Sequence, residues 1–277
     1  MLTAFFVLRG DNHLLRQLWK VTSITYTYDE RTQRLDRLLA RCLKAVDEGA
    51  ECLVLPAACN VLVSSSEQLS CERECLDKME SSVLWERAWQ AFVDTHQVVL
   101  IGGLYTTSKE GVADTILVMS PESKPVRYVR THLRQCEEEW MQRGDRPGLV
   151  SLGDVCIGVM SGYDVCFPEL PRLLVLEEAE VLFCLGVGPV LPYTSTHNSV
   201  LSMCQSHGYF SGVFSVCTWG GEGLSSMSSP FGVLRGESEE LDLRQARFKY
   251  RTKRVHPLKD RREALYASIV SSKGGGE

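Results

Sequence analysis

The chain has 277 residues, of which 44% are hydrophobic and 23% are charged. These proportions are ordinary for a folded globular protein and exclude a chain that is disordered throughout or collagen-like. Lysine and arginine number 30 against 35 acidic residues, and the formal net charge of -5 argues against a whole-chain nucleic-acid binder. The longest uncharged stretch, residues 181–221, is interrupted by glycines, prolines and hydroxyl residues, so it predicts strands and turns and no membrane span.

Eleven cysteines, an odd number, are spread over the chain, and most lie inside apolar runs. The apolar run at residues 2–8 has no basic residue ahead of it, so we interpret it as a first strand and not as a secretion signal. Without such a signal, the cysteines are expected to be buried free thiols and the protein to be cytoplasmic. Cys71 and Cys75 lie four residues apart, but no Cys-x-x-Cys pair is present, and we expect no metal site.

Expected helices and strands alternate through the first half of the chain. Apolar residues recur every three or four positions over residues 31–48, which predicts an amphipathic helix that Gly49 ends. A second helix is expected over residues 81–96. The expected strands cover residues 52–55, 98–101 and 114–119, and an extended segment is expected at 127–133.

The same alternation continues to the end of the chain. Strands are expected over residues 155–160, 181–185 and 213–217, with helices over 168–176 and over 198–207, the latter stopped by Gly208. This order is typical of an α/β protein. Because no change of composition marks a boundary, we expect one domain over residues 1–270 and a disordered tail at 271–277.

Five groups of short motifs follow one another along nearly the whole chain. They are Leu-Val-Leu-Pro at 53–56, Gly-Gly-Leu-Tyr at 102–105, Tyr-Val-Arg-Thr-His-Leu at 128–133 with Gly-Asp at 144–145, GVMSGYDVCFPEL at 158–170, and Asp-Arg-Arg with Leu-Tyr at 260–266. In this order they resemble the nitrilase-like carbon–nitrogen hydrolases. The resemblance implies a four-layer α-β-β-α sandwich that commonly dimerises. It also implies hydrolysis of nitriles, amides or carbamoyl amines by a cysteine, a glutamate and a lysine, without a metal or an organic cofactor.

The resemblance places the three catalytic functions at positions where this chain has other residues. The general base would stand at Ala57, which cannot accept a proton, and the nucleophile at Gly162, which has no side chain. The cation would stand at Arg130, which keeps the charge needed to hold an anion. Loss of a nucleophile alone costs roughly 10⁶-fold in rate. We therefore interpret the chain as a pseudoenzyme with a structural or regulatory role, as a homodimer, as the partner of an active relative, or as a subunit of a larger complex.

The alternative is a surviving amidase or carbamoyl-amine hydrolase that uses a displaced nucleophile. Cys166, four residues after Gly162, is the first candidate, and Tyr163 and Asp164 are further candidate pocket residues. Ser161 is expected to face away from the site, because neighbouring residues of a strand point to opposite faces. A second glutamate of such sites corresponds best to Glu137, and we expect it to contact Arg130.

The segment from Arg244 to Arg262 holds nine lysines and arginines and one acid. It leaves open a third function, binding to RNA, an anionic lipid surface or an acidic partner. We favour a solvated edge strand whose charge is partly neutralised by the four acids of residues 236–242. On this interpretation the protein binds neither a membrane nor nucleic acid.

Overall fold

The computed structural model describes residues 7–8, 16–26, 34–61, 79–109, 111–187, 198–220, 224–234, 236–250 and 253–270. Its strands are β1 (Val7–Leu8), β2 (Leu18–Ser23), β3 (Cys52–Val54), β4 (Val99–Ser108), β5 (Gly111–Met119), β6 (Val126–Val129), β7 (Gly148–Leu152), β8 (Val155–Ser161), β9 (Val181–Val187), β10 (Phe214–Gly220), β11 (Leu224–Ser229), β12 (Gly232–Leu234) and β13 (Ser238–Asp242). They form one mixed sheet in the order β1-β7-β8-β9-β10-β11-β12 and another in the order β13-β2-β3-β4-β5-β6.

Four of the described helices, α1 to α4, cover the outer faces of the sheets. The helices are α1 (Arg34–Asp47), α2 (Ser82–His96), α3 (Glu169–Leu176), α4 (Asn198–Ser211), α5 (Arg244–Arg247) and α6 (Ala267–Val270), with short 3-10 helices at Gly162–Cys166 and Glu263–Leu265. The apolar sides of α1 and α2 pack on the six-stranded sheet, and those of α3 and α4 pack on the seven-stranded sheet. The predicted α-β-β-α sandwich is therefore confirmed.

The inner faces of the two sheets meet in an apolar core. Trp19 of β2 and Phe183 of β9 are both almost fully buried, and their rings meet edge to face with 5.9 Å between centroids. Burying a side chain of this size contributes about 1.5–3 kcal/mol. One polar contact also crosses the layer, because the Thr218 hydroxyl donates to Ser23 Oγ at 2.9 Å. This core fixes how the strand ends of the two sheets face each other.

Two glycines near helix ends behave differently from each other. Gly49 follows α1 and has a φ of +89°, so the prediction that it ends this helix is confirmed. The prediction that Gly208 stops α4 is wrong, because this helix continues to Ser211. A Cβ on Gly208 would lie 2.8 Å from Ser215 Cβ, so the missing side chain lets α4 approach the sheet closely. Gly212, with a φ of +73°, follows the end of the helix.

Two expectations about extended segments are wrong. Residues 127–133 do not stay extended, because β6 ends at Val129 and the next carbonyl, that of Arg130, accepts a hydrogen bond from the Gly144 amide. The basic segment is not an edge strand either: the edge strand is β13, in the acidic stretch before it, and the basic residues begin with helix α5.

The upstream acids neutralise part of the basic segment, as predicted. Arg244 binds both carboxylate oxygens of Asp242, at 2.7 and 2.8 Å. Arg247 binds Glu180 at 2.5 Å and Asp154 at 3.2 Å. Two of the nine basic residues of this segment, Arg244 and Arg247, are therefore paired with acids of the protein.

Some predictions fall outside the described residues. They concern the first strand apart from Val7–Leu8, the pair Cys71 and Cys75, and the tail at 271–277. Val7–Leu8 is described and is a strand. Among the helices that the structure describes, none has the length and apolar character needed to cross a membrane.

Candidate functional site

Strand ends from both sheets bring the predicted site residues to one end of the sandwich. Ala57 follows β3, Arg130 follows β6 and Gly162 follows β8. The strands β3, β4 and β6 run in the same direction, because β5 is antiparallel to both β4 and β6. Their carboxyl ends therefore share one edge of the six-stranded sheet, and the end of β8 faces this edge.

Arg130 is the centre of a buried polar cluster. Its side chain is only 4% exposed, and its Nη2 lies 2.8 Å from Glu137 Oε1. Its Nε lies 3.5 Å from Asp114 Oδ2, and Nη2 is 3.1 Å from the Met141 sulfur. Two carboxylates of the protein therefore lie against this guanidinium, so Asp114 and Glu137 are the anions that Arg130 contacts in this structure.

Glu137 is held by two arginines, and the predicted contact with Arg130 is confirmed. Its carboxylate also accepts hydrogen bonds from the Arg134 amide and from Arg134 Nη2, both at 2.7 Å. Burial opposes ionisation of this carboxyl, but Arg130 and Arg134 outweigh that cost and lower the pKa of Glu137. Glu137 is therefore a fixed anion that neutralises Arg130, and it is not placed as a free base.

Gly162 stands at a sharp turn directly against Arg130. Its φ of +51° lies in the left-handed region that favours glycine. A Cβ at this position would lie 3.0 Å from Arg130 Nη1 and 3.9 Å from Asp114 Oδ2. The guanidinium thus occupies the space into which a side chain at residue 162 would project.

Ser161 faces the same cluster, contrary to the sequence-based expectation. Its hydroxyl donates to Asp114 Oδ2 at 2.8 Å, and the residue is 1% exposed. The alternation rule fails here because β8 ends at Ser161 and the positive φ of Gly162 turns the chain. The Ser161 side chain and the Cβ direction of Gly162 therefore both point toward Asp114.

Ala57 lies on the inner face of the six-stranded sheet near this cluster. A Cβ on Gly103 of β4 would lie 2.5 Å from Ala57 Cα, so glycine is needed there for the close approach. Gly103 pairs with Ile116, and Asp114 lies two residues further along β5 on the same face. A methyl group therefore stands at the position that the resemblance assigns to the general base.

Asp164 organises the turn after Gly162 and does not line an open pocket. This fully buried carboxylate accepts hydrogen bonds from the Tyr128 hydroxyl at 2.6 Å, the His132 amide at 2.9 Å and the Ser161 amide at 3.1 Å. Burial and the neighbouring Asp164 raise the pKa of Tyr128, which keeps its hydroxyl protonated as a donor. Asp164 thus ties the end of β8 to the segment that follows β6.

Two aromatic rings and one thiol complete this turn. Tyr163 packs edge to face on Phe167 with ring centroids 5.1 Å apart, and Phe167 stacks on His132 at 3.9 Å. Cys166 is partly buried, and burial, followed by the charge of Asp164, raises the pKa of its thiol. A raised pKa lowers the fraction of reactive thiolate, so this environment does not activate Cys166.

Sequence reasoning missed Asp114 as a member of the site. It is 3% exposed and joins Ser161 to Arg130. The sequence does contain a signal for Asp114. This charged residue lies two positions before Ile116 and four before Val118, so it shares the inward face of a strand that is otherwise apolar. In the described part of the chain, no group of three or more His, Cys, Asp or Glu side chains is arranged to hold a metal ion.

Comparison with known proteins agrees with this fold. The chain is 29% identical over 188 residues to an (R)-stereoselective amidase of a Pseudomonas species, a match that spans 63% of either protein. A carbon-nitrogen hydrolase from Helicobacter pylori G27 superposes with a TM-score of 0.73 at 17% identity, over 92% of this chain and 99% of that one.

A mutant amidase from Nesterenkonia sp. AN1, with the acetamide moiety of fluoroacetamide added covalently at its active-site cysteine, superposes with a TM-score of 0.66 at 16% identity, over 92% of this chain and 97% of that one. Identities this low support the fold alone. The model of the carbon-nitrogen hydrolase family matches residues 20–240, which is most of the chain. The chain therefore belongs to the carbon-nitrogen hydrolase family.

Proposed function

We propose that this protein is a catalytically inactive member of its family and acts through association with other subunits. The observation that carries the proposal is the contact between Gly162 and Arg130. Residue 162 offers no nucleophile, and Arg130 Nη1 lies 3.0 Å from the place of its missing Cβ. The nearby carboxylates of Asp114 and Glu137 are committed to this arginine.

Amide or nitrile hydrolysis by this family's chemistry needs a thiolate, a proton acceptor and a group that stabilises negative charge. At the corresponding positions the chain has glycine, alanine and an arginine that is already neutralised. Because the guanidinium, its two carboxylates and Ser161 are buried and interact with one another, the arrangement resembles a structural ion-pair network more than a poised catalytic site.

The test uses fluoroacetamide, whose acetamide moiety adds to the active-site cysteine of the Nesterenkonia amidase mutant. The wild-type protein should gain no acetamide adduct at a residue near Gly162, as judged by intact mass and peptide mapping. The matched variant combines Ala57→Glu, Arg130→Lys and Gly162→Cys and should gain one adduct at the introduced thiol. An adduct on wild-type Ser161 or Cys166 would contradict the proposal.

A second candidate function is residual hydrolysis with Ser161 as nucleophile. The observation in its favour is the 2.8 Å hydrogen bond from the Ser161 hydroxyl to Asp114, a pairing of nucleophile and acceptor. Against it, the accepting oxygen also faces Arg130 at 3.5 Å, so protonation of Asp114 would leave that guanidinium with less counter-charge. A fluorophosphonate probe separates the two functions: labelling that Ser161→Ala abolishes would support the hydrolase. A thiol-directed electrophilic amide such as iodoacetamide would detect Cys166 as the displaced nucleophile through stoichiometric labelling that Cys166→Ala abolishes.

The proposed association uses the outer face of the seven-stranded sheet. The helices α3 and α4 contact each other. They carry four apolar side chains that are 42 to 62% exposed: Leu173, Leu176, Tyr209 and Phe210. Clustered exposed apolar side chains are typical of interaction surfaces. Light scattering should give a mass of at least two chains, and the double change Leu176→Ser and Phe210→Ser should give one. A wild-type monomer that also fails to pair with an active family member would contradict this part of the proposal.

A further inference from the structure

A cavity of about 290 Å³ lies at the end of the sandwich opposite the candidate site. Val99, the first residue of β4, and Val155, the first residue of β8, line it. The candidate site begins at the other end of β8, at Ser161. Because β8 has seven residues, about 20 Å of strand separate the two places.

One wall of the cavity is apolar and flat. Trp19 of β2 lines it, together with Val99 and Val155. The Trp19 ring is 1% exposed and is held from behind by Phe183. Its Nε1–H is buried and has no hydrogen-bond acceptor among the described residues. Because the ring itself is almost inaccessible, the partly exposed side chains of Val99 and Leu152 supply the apolar surface for a small organic molecule.

Among the described residues that line the cavity, the basic side chain is that of Arg16. Its guanidinium lies over the Trp19 ring at 5.9 Å and pairs with Glu51 at 3.5 Å, and both members of this pair are exposed. Exposed pairs of this kind contribute little, and a guanidinium has five N–H donors. Arg16 therefore keeps donors available for a ligand.

The acid that lines the cavity is already neutralised. Asp154 Oδ2 accepts a hydrogen bond from the Arg16 backbone amide at 2.5 Å and one from Arg247 Nη2 at 3.2 Å. These two donors hold its carboxylate at the turn between β7 and β8. Asp154 thus helps to position Arg16 through its backbone amide.

Two hydroxyls on the β5–β6 connection add neutral donors. Ser120 and Ser123 line the cavity, and their described hydrogen bonds use the backbone: the Ser120 carbonyl accepts from the Ser123 amide at 3.3 Å. Their side-chain hydroxyls make no hydrogen bond within the described residues. Among the described residues, the polar part of the wall therefore combines Arg16 and two hydroxyl donors, from which a carboxylate can accept hydrogen bonds, with the Asp154 carboxylate, which already accepts from two other donors.

We propose that this cavity binds a small organic monocarboxylate. The carboxylate would accept hydrogen bonds from Arg16 and from the hydroxyls of Ser120 and Ser123, and the apolar body would lie against Val99 and Leu152. A single available cation matches one negative charge better than the two of a phosphate monoester. The volume is at the lower end of small-molecule sites, which limits the ligand to about the size of benzoate. This inference does not depend on whether the candidate site is catalytic.

Benzoate is the probe, and benzamide, of nearly the same shape but uncharged, is its control. The full chain is titrated with each by isothermal calorimetry and ligand-observed NMR. Benzoate should bind with a dissociation constant on the order of 1 mM or tighter, as suits a ligand of this size. Benzamide should bind at least about tenfold more weakly, because it lacks the charge-assisted hydrogen bonds.

Variants of the chain locate the binding. Arg16→Gln should weaken benzoate binding at least about tenfold, and the pair Ser120→Ala and Ser123→Ala by about threefold or more. Arg146→Gln is the matched control. The Arg146 side chain is 77% exposed and does not line this cavity, so its replacement should leave benzoate binding unchanged. If Arg16→Gln lowers the melting temperature, the variant with Ser120→Ala and Ser123→Ala still shows whether benzoate binds in this cavity.

Three results would overturn the inference. They are no saturable binding of benzoate, equal binding of benzoate and benzamide, or benzoate binding that neither the Arg16 nor the serine variants weaken. None of these results bears on hydrolysis, so a failure here is distinct from a failure of the proposed function.

Discussion

Replacing Glu137 with glutamine tests the buried charge network that fills the candidate site. The Glu137 side chain is 1% exposed and lies 2.8 Å from Arg130 and 2.7 Å from Arg134. Removing one partner of a buried ion pair costs about 3–5 kcal/mol. The amide keeps one acceptor oxygen and Arg130 keeps Asp114 at 3.5 Å. We therefore expect Glu137→Gln to lower the free energy of unfolding by about 2–3 kcal/mol.

The pH dependence of this loss has a definite sign. The folded state lowers the pKa of Glu137 below its value of 4.5 in the unfolded chain. A lowered pKa contributes stability above the unfolded value, and this contribution is lost as pH falls through the folded value. The difference between wild type and Glu137→Gln should therefore be constant from neutral pH to about pH 5 and shrink below about pH 4.

Urea unfolding followed by circular dichroism measures this effect. The midpoint should fall in Glu137→Gln while the slope with denaturant stays unchanged. Glu138→Gln is the matched control, because that side chain is 49% exposed and pairs with an exposed arginine, so its change should stay below about 0.5 kcal/mol. A change in Glu137→Gln as small as in the control would refute the argument that this network is structural.

Three further predictions concern the turn after β8. Gly162→Ala should lower the free energy of unfolding by about 2–3 kcal/mol, because residue 162 has a positive φ and the new Cβ would lie 3.0 Å from Arg130 Nη1. The midpoint of urea unfolding measures this loss. Asp164→Asn should cost about 3 kcal/mol or more by the same assay, since its fully buried carboxylate accepts several hydrogen bonds. Cys166 should react with iodoacetamide more slowly at pH 8 than exposed Cys136 does, because its thiol pKa is raised.

Each of these has its own control or limit. Gly153→Ala shares a positive φ, +64°, but its Cβ would meet nothing within 4 Å, so it should cost only about 1–2 kcal/mol. If it costs as much as Gly162→Ala, the crowding by Arg130 is not real. An Asp164→Asn protein as stable as wild type would remove Asp164 from its organising role. Alkylation of Cys166 ahead of Cys136 would show an activated thiol near the site.

The layers of the fold could be predicted because they follow from local patterns. The apolar spacing of α1 and the positive φ of Gly49 are properties of neighbouring residues, and both predictions are confirmed. Gly208 shows where local patterns fail to predict the structure. A glycine can end a helix, but it can also lie within a helix where another element approaches closely, as Ser215 approaches Gly208 here. That difference depends on packing, which no local pattern contains.

The candidate site could be predicted only in part, because contacts between elements that are far apart in the chain are also absent from local patterns. The contact between Arg130 and Glu137 was expected from their places in one ordered motif, and the structure confirms it. The role of Asp114 was missed because Ser161 lies 47 residues further along the chain, in the other sheet, and because the pairing of β5 with β6 that brings Arg130 close is not visible in the sequence. The orientation of Ser161 was predicted wrongly because the strand rule stops applying where the chain turns at Gly162.

The most direct test of the central claim is the release of ammonia from a panel of aliphatic and aromatic amides by the purified full chain. An active amidase of the family serves as positive control, and Ser161→Ala and Cys166→Ala serve as background. Turnover by the wild type should equal that of both variants and of buffer. Sustained ammonia release that either substitution abolishes would contradict the claim that the guanidinium beside Gly162 has replaced the catalytic machinery.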